Sequence, residues 1–299
     1  MTSFLNEIPK IAIGTAQYGM KYGVANKIGK IQDQEMRNIL DFAIKNGINT
    51  IDTAMGYGDC EPKLGKLGVK NFNLITKITN LSDFGKNTED FALKSLRSSI
   101  ENLKVDNVNS LLLHNPNDLI SKNKEMVYNS IQTCKKEGLC RKIGVSCYDV
   151  EQVSNIIQNF DIDIIQFPLN IFNTKLIDSG LIKILKKKNI EIHVRSIFLQ
   201  GLLLMEKTEI NSYFYRWEEI FNFWEEWLRV TNISKLQACL LFVFGIKEVD
   251  KIILGIDSLL HLQQILDILK NNHAEINPFA LSSMDEDLIN PSKWNLKQD

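Results

Sequence analysis

Eight short runs of aliphatic and β-branched residues alternate with helical segments along the whole chain, and few folds accept that rhythm. The runs are 10–15, 49–53, 73–77, 109–114, 142–146, 162–167, 191–196 and 251–255. They are nearly continuous apolar segments rather than strict alternations, as expected of parallel strands covered by helices. Helical periodicity fills the gaps at 33–45, 88–103, 122–136, 150–159, 179–188, 236–244 and 259–270. In the first of these Met36, Ile39, Leu40 and Ala43 share a face, and Gly47 is placed to stop it. The second opens on Thr88 as a cap, with Glu89 and Asp90 in its first turn.

Strand–helix alternation without a linker or a break in composition predicts an α/β fold, a single-domain (β/α)8 TIM barrel over residues 1–299. An open doubly wound sheet is the alternative. It is weaker because Gly14-Thr15-Ala16-Gln17, after the first run, does not make a G-x-G-x-x-G loop. The longest interruption, 201–234, carries Trp217, Ile220, Phe221, Trp224 and Leu228 at helical spacing among Glu218, Glu219, Glu225 and Glu226. That pattern predicts an amphipathic helix with an aromatic face against the barrel; a lip over the active site is the functional alternative.

Composition narrows the function classes. Net charge is −1, so nothing in the balance favours nucleic acid or an anionic membrane. The densest basic run, Lys186-Lys187-Lys188, sits at an expected helix end, where positive charge suits the helix dipole. Five cysteines without C-x-x-C spacing predict reduced thiols and a cytoplasmic home. No secretory pattern opens the sequence, and its most apolar stretch, 238–246, is short of a membrane span.

Strand C-terminal ends face the catalytic mouth of such a barrel. Asp52 ends the second run and Tyr57 follows on the next loop; Lys77 closes the third and His114 the fourth. Each type alone is often structural. Together, on consecutive strand ends, they predict acid–base chemistry: a lysine beside a phenol lowers its pKa, so that Tyr57 can donate a proton to a carbonyl oxygen while His114 orients it.

The sequence resembles the aldo-keto reductase family over nearly its whole length. The resemblance is carried by Ile13-Gly14-Thr15-Ala16-Gln17, Ile51-Asp52-Thr53-Ala54 with Tyr57-Gly58, Glu61 with Leu64-Gly65, Thr76-Lys77, Leu113-His114-Asn115-Pro116, Gly144-Val145-Ser146 and Gln166-Phe167-Pro168-Leu169-Asn170. It implies an NAD(P)-dependent oxidoreductase in which Asp52, Tyr57, Lys77 and His114 are catalytic, with direct hydride transfer and no metal. It also implies that Gly14 and Thr15 border the nicotinamide and ribose, and that Ser146 and Gln166 hold the carboxamide. The 196–202 stretch, with Ser196, Phe198 and Gly201, would meet the pyrophosphate. Gly255, Asp257, Ser258, His261 and Gln264 would meet the adenosine end.

Three positions depart from the family pattern. Arg195 stands where many members stack an aromatic ring on the nicotinamide; its charge would favour the reduced cofactor. Cys147 replaces a common asparagine and is expected to be a small buried thiol. Asp257 would repel a 2′-phosphate yet can accept hydrogen bonds from a ribose 2′-hydroxyl, so NADPH and NADH both stay open. Tyr18 and Tyr22, after the first run, contact substrate or pack their loop. His193 is expected to be an interior histidine, and His261 and His273 form no metal cluster with it. The leading reading is reduction of an aldehyde or ketone, with a sugar or nucleotide-sugar carbonyl as a leaning. The alternatives are a nucleotide-binding redox sensor on the same barrel and a Lys77 Schiff-base lyase.

Overall fold

Hydrogen bonds join eight parallel strands in chain order and close β8 back onto β1. The computed structural model describes residues 4–271, 276 and 281–296. The strands are β1 (Ile11–Gly14), β2 (Thr50–Asp52), β3 (Asn73–Ile78), β4 (Val108–Leu113), β5 (Cys140–Ser146), β6 (Ile164–Pro168), β7 (Glu191–Arg195) and β8 (Lys251–Gly255). This is the predicted (β/α)8 barrel, with strand boundaries moved by one or two residues. His114 falls one position beyond β4, yet its amide donates to the Ile78 carbonyl at 2.8 Å and keeps it on the rim.

Alternation along each strand sorts the side chains. Ile13, Ile51, Leu74, Leu111, Leu113, Val145, Ile165, Val194 and Leu254 point outward into one large core shared with the helices. Ile75, Leu112 and Ile164 take the opposite parity and form a separate small cluster inside the barrel. Lys77 and Gln166 lie two positions beyond Ile75 and Ile164 on the same strands, and Asp52, Ser146 and Arg195 share that inner parity at the ends of theirs. The apolar plug therefore floors the mouth, and the polar side chains stand above it.

The helices form where periodicity places them. Asp33–Lys45 buries Met36, Ile39, Leu40 and Ala43 and carries Asp33 and Glu35 in its first turn. Gly47 takes φ +83°, the left-handed turn that ends it. Val150–Asn159 and Lys235–Phe244 open on capping boxes, Asp149 with Gln152 and Ser234 with Gln237. Glu218–Thr231 is the amphipathic helix predicted in the long interruption, and it buries Phe221, Trp224 and Leu228.

Two local expectations are corrected. Thr88 does not cap Thr88–Leu103: its hydroxyl donates to the carbonyls of Leu81 and Gly85 in the preceding turn. A short helix, Cys60–Leu67, follows the Tyr57 loop and has no counterpart in the sequence reading, because Pro62 and Gly65 interrupt its pattern. Proline in the first turn costs no hydrogen bond, so the helix still forms. All five cysteines are buried and unpaired. Among the described residues no helix is long and apolar enough to cross a membrane, and no three His, Cys, Asp or Glu side chains could share a metal. His273 lies outside the described residues.

Candidate active site

The rim residues are joined by hydrogen bonds across the mouth. Lys77, 1% exposed, places its Nζ 2.5 Å from Asp52 Oδ1, donates to the Thr53 carbonyl at 3.0 Å, and reaches Tyr57 Oη at 3.5 Å. Gln166 Nε2 donates to the other Asp52 oxygen at 2.9 Å, while its Oε1 accepts from Ser146 Oγ at 3.1 Å. Arg195 Nε donates to that same Ser146 Oγ at 3.2 Å. Asp52 thus has both oxygens paired, and a buried carboxylate needs that. The His114 ring stands edge-on to Tyr57, centroids 5.7 Å apart.

Local sequence explains how Tyr57 is held. Gly58 sits at φ +60°, and a side chain there would strike the Gly19 carbonyl at 2.6 Å; one at Gly19 would strike the Tyr57 carbonyl at 1.6 Å. The two glycines let the loops after β1 and β2 pack backbone to backbone. Tyr57 is left half-buried at the mouth.

Electrostatics depart from the expectation of a lowered phenol. Burial, followed by the Asp52 charge, pushes the Tyr57 phenol above its usual range. Lys77 spends its short contact on Asp52, so its charge is largely neutralised before it reaches Tyr57. Burial first, then the positive charges of Lys77 and Arg195, push the His114 imidazole down to about 4. The mouth therefore presents a protonated phenol beside a neutral imidazole.

A cleft of about 400 Å³ runs from Tyr57 to the edge of β8. It gathers Gly14, Thr15, Asp52, Tyr57, Arg195, Ser196, Phe198, Gly201, Gly255, Asp257 and His261 from the predicted set. Lys77, His114, Ser146, Gln166 and Ser258 do not line it. Gln264 lines a neighbouring depression that also touches His261. Ser146 and Gln166 have their polar atoms committed to Asp52, to each other and to Arg195, so they stand behind the cleft wall. Tyr22 lines the cleft; Tyr18 is fully buried and packs its loop. Cys147 is the expected buried thiol, and burial pushes its pKa up.

Four glycines, Gly14, Gly23, Gly201 and Gly255, line the cleft. Gly14 and Gly255, paired in register across β1 and β8, bring backbone to the cleft wall beside the Gln17 and Ile253 side chains. Ser196, Leu199, Gln200 and Gly201 all have φ between +47° and +92°, left-handed backbone of the kind that turns amides toward anions. At the far end Asp257, largely exposed, pairs with His261 at 3.2 Å.

The sequence reading missed three features here. Tyr148 stacks under the Arg195 guanidinium at 4.2 Å; its place just after β5 was the available signal. Lys27 and Glu209, 2.6 Å apart, tie the loops after β1 and β7 together over the cleft. The Val24 amide adds a 3.1 Å bond to the Gln200 carbonyl. Nothing in the sequence marks these last two, which join loops far apart in the chain.

Comparison with known proteins agrees with the fold. The Aldo/keto reductase family model matches residues 10–279, and the chain belongs to that family. It is 26% identical over 222 residues to Oxidoreductase sirO of Leptosphaeria maculans, covering 71% of this chain and 66% of that protein. It is 32% identical over 138 residues to Methylglyoxal reductase DkgB of Escherichia coli O157:H7, covering 43% and 48%. The chain thus spans from about half to about two thirds of the length of the curated relatives it matches. Among solved structures, aldo-keto reductase AKR11C1 from Bacillus halodurans superposes with a TM-score of 0.70 at 16% identity, covering 95% of each chain; this likeness concerns the fold.

Proposed function

We propose that the chain reduces an aldehyde or ketone to an alcohol, with NADH or NADPH bound along the cleft. The reduced nicotinamide supplies the hydride. The single observation that carries this reading is the Asp52–Lys77–Tyr57 chain ending on a cleft wall, with a neutral His114 beside the phenol. The carbonyl oxygen accepts a hydrogen bond from Tyr57 and is oriented by His114. As the carbonyl carbon gains hydride, the oxygen takes the Tyr57 proton and the product leaves as an alcohol. The phenolate left behind lies 3.5 Å from the Lys77 ammonium and regains its proton from solvent. Asp52 holds that ammonium in place, and Gln166 holds Asp52.

Gly14 and Thr15 would flank the nicotinamide ribose. Ser196, Phe198 and Gly201 would receive the pyrophosphate, and Gly255, Asp257 and His261, with Ser258 and Gln264 nearby, the adenosine end. Ser146 and Gln166 would reach the carboxamide by exchanging the bond between them, with Arg195 still donating to Ser146 Oγ. The Asp257 carboxylate favours acceptance of NADH, because a 2′-phosphate beside it meets like charge. Tyr22 and Gln200 on the cleft walls suit a hydroxylated carbonyl compound such as a sugar derivative. The test is an intrinsic-fluorescence titration with NADH and NADPH in parallel. Saturable quenching by either supports the reading. Quenching by neither overturns it.

A further inference from the structure

Charged side chains on the cleft come in pairs, with one exception. Lys27 has Glu209, Asp52 has Lys77, and Asp257 has His261. Arg195 lines the same cleft, half-buried, and among the described residues no carboxylate lies within 4.0 Å of it. Its neighbours are neutral. Nε donates to Ser146 Oγ at 3.2 Å, Nη1 to Ser196 Oγ at 3.4 Å and Nη2 to the Cys147 carbonyl at 3.2 Å, and the plane rests on Tyr148 at 4.2 Å. These contacts fix the orientation of the guanidinium without neutralising it. Of its five N–H groups three are used this way, which leaves one on each terminal nitrogen.

A cation held rigidly in a partly dry cleft with two open donors is a receptor for a planar or tetrahedral oxyanion. The Lys77–Asp52 pair is internally neutral, so Arg195 sets the sign of the field at the mouth. The structure places its charge close enough to Tyr22, Tyr57 and His114 to act on all three. Arg195 and Tyr57 line the same cleft, so an anion seated on Arg195 would share it with the carbonyl held at Tyr57.

We infer that the carbonyl substrate carries a carboxylate or phosphate group, and that Arg195 is the residue that selects it. The inference rests on the reductase reading above and adds the substrate's charge. A carboxylate would take both open N–H groups side by side; a phosphate would take the same two and leave its other oxygens toward solvent. The guanidinium need not move to receive either.

The test compares matched substrates on the full-length protein: 4-carboxybenzaldehyde against its neutral methyl ester, and glyceraldehyde 3-phosphate against glyceraldehyde. The expected kcat/KM ratio favours the anionic member of at least one pair by about tenfold or more. Arg195→Gln should bring that ratio near unity, and Arg195→Lys should restore part of it; which pair responds separates carboxylate from phosphate. Calorimetric titration of nucleotide-loaded protein with benzoate and with inorganic phosphate gives a readout independent of turnover. At least one should bind the parent protein and lose binding in Arg195→Gln, with far-ultraviolet dichroism checking that the variant folds. Equal kcat/KM for both members of both pairs overturns the inference while leaving the reductase reading intact. Equal losses for anionic and neutral substrates in Arg195→Gln also overturn it and assign the guanidinium to the cofactor. If no carbonyl is reduced, the reductase reading fails and calorimetry alone decides: anion binding that depends on Arg195 supports the site, and its absence overturns it.

Discussion

At the N-terminal mouth of the barrel Lys142 pairs with Glu191, and Glu191 also meets His193 Nε2 at 3.3 Å. Nearby, Asp163 and Asp250 each accept a strand amide, from Ile143 and Ile192 at 2.8 Å, while pairing with Lys135 and Lys186. At the C-terminal mouth the same residue types are arranged otherwise. Lys77 and Asp52 are almost wholly buried, and Arg195 has no carboxylate among the described residues. Charge at the lower end ties strand ends together and stays partly in water, where it is worth little and costs little. Charge at the upper end is desolvated and left open toward a cleft. The two mouths of one barrel thus hold their charges differently, paired and partly wet below, dry and beside a cleft above.

The sharpest way to break that contrast is Tyr57→Phe. It should lower kcat/KM by about 10² to 10⁴ with an unchanged dichroism spectrum; a loss below tenfold would place the proton donor elsewhere. Lys77→Met strands Asp52 in the interior and should cost about 3–5 kcal/mol in urea unfolding. The corresponding change below, Lys142→Met, breaks a half-exposed pair and should cost at most about 1 kcal/mol. Equal costs would erase the distinction between the two ends.

Acidification should separate the mouths as well. The folded His114 pKa, about 4, lies below the usual imidazole value of 6.5, so the unfolded chain binds the proton more readily. Stability from this group is present above pH 6.5 and is lost as pH falls toward 4. The Glu191 carboxyl is held down at about 2 by its His193 hydrogen bond, aided by Lys142; its contribution is present above pH 4.5 and is lost as pH falls toward 2. Thermal melts of His114→Gln should flatten the upper window, and those of Glu191→Gln the lower one. The smallest effect expected is on turnover in Glu191→Gln, within about twofold of the parent because the change lies far from the cleft.

The architecture was legible because eight apolar runs and their helices keep period and order, and strand ends moved by no more than two residues. The rim residues were legible because strand C-termini carry chemistry in this architecture, and Asp52, Lys77, Gln166 and Arg195 all fall on the inward parity. What the sequence hid depends on distance and solvent. A lysine next to a tyrosine in the fold suggested a lowered phenol, but Lys77 is 2.5 Å from Asp52 and 3.5 Å from Tyr57, and burial dominates the phenol. Gln166 and Ser146 read as carboxamide ligands; that they also brace Asp52 and Arg195 depends on contacts between strands. The Arg195–Tyr148 stack joins the ends of different strands, and the only local sign of it is that Tyr148 lies just after β5.

Direct passage of hydride to a carbonyl carbon at Tyr57 would carry a label from the nucleotide into the product. The protein is incubated with 4-carboxybenzaldehyde and nicotinamide nucleotide dideuterated at C4, and the alcohol is analysed by mass spectrometry. One deuterium is expected on the carbinol carbon, with formation slowed in step with kcat/KM in Tyr57→Phe. Unlabelled alcohol, or nucleotide that binds without being oxidised by any carbonyl offered, would contradict direct transfer.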